Sequence, residues 1–140
     1  MHHCRIFLGL LGSCLVAGLA GCADSATKRY AVSGEVKWQG KPLDQGSITF
    51  LAEDPALGSG GGALIKDGQY SIPANQGLLP GRYKVAVSSA DPKKAVDPDA
   101  PPGAPGPVYK DRIQPKYNAQ TILTADVKAE GPNKFNFEVN

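Results

Sequence analysis

The chain has 140 residues, 41% of them apolar and 20% charged, with a formal net charge of +2. That is the size of one domain and the composition of a folded one, and the even charge balance excludes a protein that holds nucleic acid or another polyanion through its overall field. Its 17 glycines and 12 prolines point to many turns, and the apolar residues nowhere recur at the spacing of a long amphipathic helix.

The first 21 residues differ in kind from the rest. Arg5 is followed by a charge-free run from Ile6 to Ala20, then by Gly21, Cys22 and the polar stretch Ala23–Arg29. A basic start, a short apolar run and small residues at its end are the layout of an export signal, and the run is shorter than the roughly 20 residues of a spanning helix. Leu19, Ala20, Gly21 and Cys22 together resemble the lipobox of bacterial lipoproteins, in which the cysteine is acylated on sulfur and becomes the first residue after cleavage. The alternative is an ordinary signal peptide cut near Gly21 or Ala23, which leaves a free thiol. The lipobox implies a signal peptide over residues 1–21, expected as an N-terminal signal helix, and a linker over 22–29 carrying lipidated Cys22. The lipid bilayer is then a partner through acylated Cys22, and the protein is exported and membrane-anchored in the bacterial cell envelope, periplasm-facing or on the surface. Cys4 and Cys14 leave with the leader, so Cys22 is the one remaining cysteine and no intramolecular disulfide can form. Loss of Arg5 takes 15 basic side chains to 14, against 13 acidic ones.

Strands follow from Tyr30 onward. In Tyr30–Trp38 the residues Val32, Gly34, Val36 and Trp38 fall on one face; in Ser47–Phe50, Ile48 and Phe50 alternate with Ser47 and Thr49. With Gly40 and Pro42 between them, the two runs read as a β-hairpin or as neighbouring strands of a sandwich. The Gly-rich segment Asp54–Gly62 reads as a mobile loop. Ala63–Lys66 and Gln69–Pro73 flank Asp67-Gly68, a dipeptide that tolerates the positive φ of a tight hairpin turn. After Leu79-Pro80-Gly81, Tyr83, Val85 and Val87 alternate with Arg82 and Lys84; Leu123, Ala125 and Val127 alternate with Thr124 and Asp126; and Phe135, Phe137 and Val139 point one way. These are seven strands, each with one dry face that a second layer must cover.

The expected fold is all-β, a seven-stranded immunoglobulin-like β-sandwich over residues 30–140. One segment does not fit a minimal sandwich. Residues 90–118 hold Pro92, Pro98, Pro101, Pro102, Pro105, Pro107 and Pro115, and a loop of that length is unusual unless it functions or is disordered. It reads first as a solvated polyproline strap and second as a recognition surface that includes Tyr109 and Tyr117.

With the strands placed, Gly40, Pro42 and Leu43, then Gly46, Ile48 and Phe50, then Asp67, Gly68 and Tyr70, then Pro80, Gly81, Tyr83 and Val85 resemble the carboxypeptidase regulatory-like domain. That is a prealbumin-like (transthyretin-like) sandwich related to the collagen-adhesin B-type repeats. The resemblance covers about half of the mature chain and rests on residues that shape a fold. It implies no activity of its own. Adhesin relatives form a Lys–Asn isopeptide bond between first and last strands. Lys37 with Asn136 or Asn140 is the set present here, and Lys37 alternates to the wet face.

Both histidines, His2 and His3, lie in the leader. The mature chain therefore cannot build a Ser-His-Asp or Cys-His site or a histidine metal site, and the histidine-dependent hydrolases of the same superfold are excluded. Glu53 with Asp54, and Asp97 with Asp99, read as solvated loop charges rather than an acid–base pair. No catalytic residue, cofactor or metal ligand is expected. The sequence points to a non-enzymatic, membrane-anchored envelope lipoprotein acting as a structural, adhesion or protein-interaction module, with an envelope protein as its partner and no nucleic acid. The alternative is a carbohydrate or small-molecule binding module using the loops at 51–62 and 90–118. Trp38, Tyr109 and Tyr117 are the candidate interaction surface, although Trp38, at the end of an alternating strand, also reads as core or rim.

Overall fold

The computed structural model describes residues 27–95 and 109–140. The signal segment 1–21, Cys22 and the pair Asp97 and Asp99 lie outside the described residues. Among the described residues there are eleven strands: β1 (Val32–Trp38), β2 (Lys41–Pro42), β3 (Gln45–Ala52), β4 (Gly61–Lys66), β5 (Gln69–Ile72), β6 (Gly81–Ser88), β7 (Ala90–Ala95), β8 (Tyr109–Asp111), β9 (Leu123–Val127), β10 (Asn133–Lys134) and β11 (Phe137–Val139). The described helical segments are three-residue 3-10 turns.

One sheet runs in the order β10-β1-β5-β4-β3-β6-β9, with β2 and β11 also paired to β1. Its neighbours are antiparallel except β10 and β11, which lie parallel to β1. The sheet curls, and it does so where β4 meets β5, because Lys66 and Gln69 are their one register pair. The curl leaves a short limb, β10/β11-β1-β5, and a long limb, β4-β3-β6-β9.

Their inward residues meet in one core. Val32 and Val36 of β1, Ile72 of β5, Ile48 and Phe50 of β3, and Tyr83, Val85 and Val87 of β6 are at most 2% exposed. Phe50 is the hub, with its ring centroid 6.0 Å from Tyr70, 6.5 Å from Tyr83 and 6.5 Å from Phe135. The close fit needs a glycine at one point. A Cβ on Gly34 would stand 1.7 Å from the carbonyl oxygen of Phe135, so the C-terminal segment can lie along β1 only if residue 34 has no side chain.

Four sequence expectations are corrected. The first concerns Tyr30–Phe50, which is not a hairpin of its two long strands. Gln39 and Gly40 have φ of 50° and 77°, the geometry of a two-residue turn, and that turn pairs β1 with the short β2. Leu43, fully buried, then carries the chain across to the long limb: its N–H donates to Val36 (3.0 Å) and its carbonyl accepts from Gly68 (2.7 Å). In the sheet, β1 and β3 are separated by β5 and β4.

Secondly, the seven expected strands correspond to β1, β3, β4, β5, β6, β9 and the β10–β11 stretch, while β2, β7 and β8 were not foreseen. Asn136 splits the last run, because its Oδ1 accepts from the Glu35 N–H at 3.0 Å and replaces a backbone partner in the ladder.

Thirdly, Asp54–Gly62 is a built turn. Asp54 caps a 3-10 turn over Pro55–Leu57 by accepting from the Ala56 N–H at 2.9 Å, and Leu57 packs on the core. The Asp67-Gly68 turn is as expected, with φ of 51° and 79°.

Lastly, the ends of the segment 90–118 are structured rather than a free strap. Its ends form the β7–β8 ribbon, and Ile113 and Tyr117 enter the core at 2% and 8% exposure.

Candidate functional site

The ribbon is rooted at Ser89, one residue past β6. Ser89 is buried at 1% exposure, and its hydroxyl donates to the Gln45 carbonyl at 2.5 Å, which ties the end of β6 to the start of β3. Its N–H donates to Asp111 Oδ1 at 3.1 Å. The same carboxylate accepts from the Ile113 N–H at 2.8 Å and, through its other oxygen, from Asn118 Nδ2 at 3.2 Å. Asp111 is thus a bracket that returns the chain from β8 to the core.

Arg112 completes the attachment. Its N–H donates to the Ser89 carbonyl at 3.0 Å and its Nε to the Ser89 hydroxyl at 2.8 Å. The guanidinium forms an ion pair and hydrogen bond with Asp44 and stacks 4.9 Å from the centre of the Trp38 ring. Burial works to raise the Asp44 carboxyl, but the hydrogen bond and charge of Arg112 and the Gln45 N–H outweigh it and hold the pKa below its ordinary value. Trp38 and Arg112 so cover one another.

Two concavities flank the Arg112–Asp44 bridge. The larger, about 750 Å³, lies over the outer side of the long limb, with Gln45, Ser47 and Ser88 beneath it, Leu64 and Tyr109 as apolar walls, and Lys66 at its rim. The smaller, about 560 Å³, is lined by Trp38, Asp91, Lys93 and Lys110. Both share Asp44 and Asp111. They sit at the Trp38 end of β1, and the chain enters the sheet at the other end, where Tyr30 bridges to Leu78. Seven strand residues put about 20 Å between those ends.

The expected surface residues therefore separate. Tyr109, 42% exposed, walls the larger groove. Trp38 is half-buried under Arg112 and lines the smaller one. Tyr117 is corrected: it is a core residue, 8% exposed, anchoring the return from the ribbon with Lys116 4.8 Å from its ring centre. The loop at 51–62 and the described parts of the loop at 90–118 also do not converge on one site. The first follows the end of β3 at Ala52 and meets Pro80–Arg82, whereas the ribbon stands over the start of β3 at Gln45. Glu53 and Asp54 lie at that far end, and Asp54 is used as a cap. Lys37 is solvent-exposed opposite Glu138, and the Asn136 amide oxygen is engaged by β1.

Ser89, Asp111 and Arg112 escaped sequence reading. Arg112 and Asp44 stand 68 residues apart, and no local spacing announces a pair at that separation. The one available signal was an Asp-Arg followed by apolar Ile113 at the end of a Pro-rich stretch, where a loop must be fastened again to the fold.

Compared with known proteins, the chain matches no family model, no curated sequence and no solved structure.

Proposed function

We propose that this protein is a non-enzymatic lipoprotein of the bacterial cell envelope, tethered through acylated Cys22, that docks a protein partner in the groove between the β7–β8 ribbon and the long limb. The domain is read as an immunoglobulin-like, prealbumin-like sandwich of the carboxypeptidase regulatory-like kind. Support for that finer fold comes from Tyr83, whose hydroxyl donates to the Leu79 carbonyl four residues upstream at 2.9 Å, the arrangement of the tyrosine corner in Greek-key sandwiches.

The position of the groove carries the functional reading. It opens at the end of the sheet away from Tyr30, and the linker 22–29 reaches at most about 28 Å when extended. A chain held by Cys22 at one end thus offers its apolar groove at the other. A single acyl chain holds a protein to a bilayer only marginally, so the tether calls for a multiply acylated cysteine.

A second reading keeps the groove and changes the occupant. Its volume of about 750 Å³ falls in the range of sites for small molecules or short sugars, which spans about 300 to 1,000 Å³. Two experiments separate these. Cys22→Ala is expected to move the protein from the membrane fraction to the soluble fraction of lysed cells; retention in the membrane would refute the tether. Crosslinking in intact cells is expected to give a discrete protein adduct that disappears in Ser47→Trp, which fills the groove floor. An unchanged adduct refutes the groove as its site, and saturable thermal stabilisation by a small ligand in place of any adduct supports the second reading.

A further inference from the structure

The two edges of the large sheet are finished differently. At one edge lie β10, two residues long, and β11, with Asn136 between them taking the Glu35 N–H on its side chain. A short, interrupted edge of this kind is a poor template for further pairing. At the other edge β9 runs for five residues and pairs with β6 alone, in unbroken register. It has no proline and no inward charge, since Ala125 and Val127 are buried and Leu123 packs on the core.

The ladder with β6 decides which backbone groups β9 turns outward. Glu53 donates its N–H to the Arg82 carbonyl at 3.2 Å, so Arg82 faces β3. The Val85 carbonyl accepts from the Thr121 hydroxyl, on the β9 side. Backbone groups alternate between the two edges of a strand, so Tyr83 and Val85 bond toward their register partners Ala125 and Leu123. Ile122, Thr124, Asp126 and Lys128 therefore turn their backbone groups away from β6. The outer two are engaged: the Ile122 N–H donates to the Lys116 carbonyl at 3.0 Å, and the Asn133 side chain bonds the Lys128 N–H at 2.8 Å and its carbonyl at 3.0 Å. Between these two stops, the N–H and carbonyl groups of Thr124 and Asp126 have no partner among the described residues.

We propose that this window pairs with itself, the β9 of a second copy lying antiparallel to it about a two-fold axis through Ala125. Thr124 then stands opposite Asp126 of the second copy and Asp126 opposite its Thr124. Each opposed pair exchanges both backbone bonds, so all the unpartnered groups are used. Neighbouring registers fail. An axis through Thr124 sets Asp126 against Ile122, whose N–H is engaged, and an axis through Asp126 sets two carboxylates face to face.

The side chains agree with the axis at Ala125. Each row across the pair reads Glu53, Arg82 and Asp126, then Thr124, Lys84 and Leu51 of the second copy, so the charges alternate in sign. On the inner side Leu123 meets Val127 of the second copy and carries the core across the joint. On the outer side Ile122, 68% exposed, lies against the methylene stem of the other copy's Lys128. A contact of this isologous kind closes at two chains. It uses neither the groove nor the ribbon, and so goes beyond the docking reading.

The test uses the full-length protein in an excess of detergent micelles. Sedimentation velocity of the unaltered protein is expected to show mass rising with concentration to that of two chains. Thr124→Glu, an exposed change that sits beside Lys84 in its own chain but opposite Asp126 of the second, should weaken the dimer about tenfold. Thr124→Pro removes an outward N–H without touching the β6 ladder and should abolish it. Unchanged urea midpoints confirm that these variants fold. Ala125→Cys should give a covalent dimer under mild oxidation at least about tenfold faster than Ser71→Cys on the short limb, because antiparallel neighbours at a non-hydrogen-bonded pair lie closest. A single chain at every concentration, a dimer that Thr124→Pro and Thr124→Glu leave intact, or equal oxidation at positions 125 and 71 overturns the proposal.

Discussion

On the short limb, the residues that alternate outward from β1 and β5 are Ser33, Glu35, Lys37, Gln69 and Ser71, and their neighbours on the C-terminal strands are Lys134 beside Ser33 and Glu138 beside Lys37. Two cations meet two acids there, and no large apolar side chain stands exposed on these strands. On the long limb the same alternation brings out Lys66, Lys84 and Arg82 against Asp126 and Glu53, with Leu51 and Leu64 among them. Both limbs bury equivalent inner faces in one core, so burial does not require the difference. A sheet that needs only water on its outer side carries polar residues, as the short limb does; isolated exposed apolar residues are ordinary, and their gathering on one side marks a surface that something covers.

The comparison presumes that both limbs stand or fall together, and Phe50→Ala tests that most severely. Phe50 touches aromatic rings from β5, β6 and the C-terminal segment, so its loss is expected to cost about 3–5 kcal/mol in urea unfolding. Amide protection should fall together in β1 and β6. Survival of protection in one limb alone would show two independent layers.

Alkali should act on both limbs at once. Burial pushes the Tyr70 phenol up on the short limb and the Tyr83 phenol up on the long limb, the latter offset in part by its hydrogen bond to Leu79 and the charge of Arg29. A raised folded value means that the unfolded chain releases these protons first. Their contribution is therefore complete below the ordinary tyrosine value of about 10 and is lost as pH rises through the folded values. Tyr70→Phe, which also removes the hydrogen bond to Phe135 O, should flatten that loss in a series of urea midpoints from pH 8 to 11.

Arg112→Ala separates the ribbon from the sheet that carries it. It removes the bonds to Ser89 and Asp44 and uncovers Trp38, at an expected cost of about 1.5–3 kcal/mol for hydrogen bonds to a charged group. Emission of the chain's single tryptophan should shift to the red and proteolysis should begin in the ribbon, while the amides of β3 and β6 keep their protection. The smallest effect belongs to Asp44→Asn, because the Asp44 side chain is 65% exposed and such pairs contribute about 1 kcal/mol or less. With its folded pKa lowered, the ion pair contributes fully above the unfolded value of about 3.9 and is lost as pH falls through the folded one. The variant should therefore differ from the parent at pH 6 and match it at pH 2.

The inner faces were legible in the sequence because alternation is a local property: Val32 and Val36, Ile48 and Phe50, and Tyr83 to Val87 each announce a dry side within a few residues. So was the Asp67-Gly68 turn, whose conformation follows from residue type. Partnership between strands was not legible. The turn at Gln39-Gly40 and the crossing at Leu43 send β3 to the far limb, and short-range pattern does not say which strand lies beside which. The candidate site was legible in Tyr109 and in part in Trp38, and Tyr117 was misread because a tyrosine in a Pro-rich segment carries no sign of the core position its 3-10 turn gives it. The grouping of outer side chains was hidden as well. A net charge of +2 says nothing of Leu51, Leu64, Lys66, Arg82, Lys84 and Asp126 sharing one side, which depends on the register of the strands.

A photoreactive amino acid placed at Leu64 on the long limb, and in a separate strain at Ser71 on the short limb, tests the central claim most directly when irradiated in living cells. The account predicts a discrete protein adduct from Leu64 and none from Ser71; equal adducts from both positions, or an adduct from Ser71 alone, would contradict it.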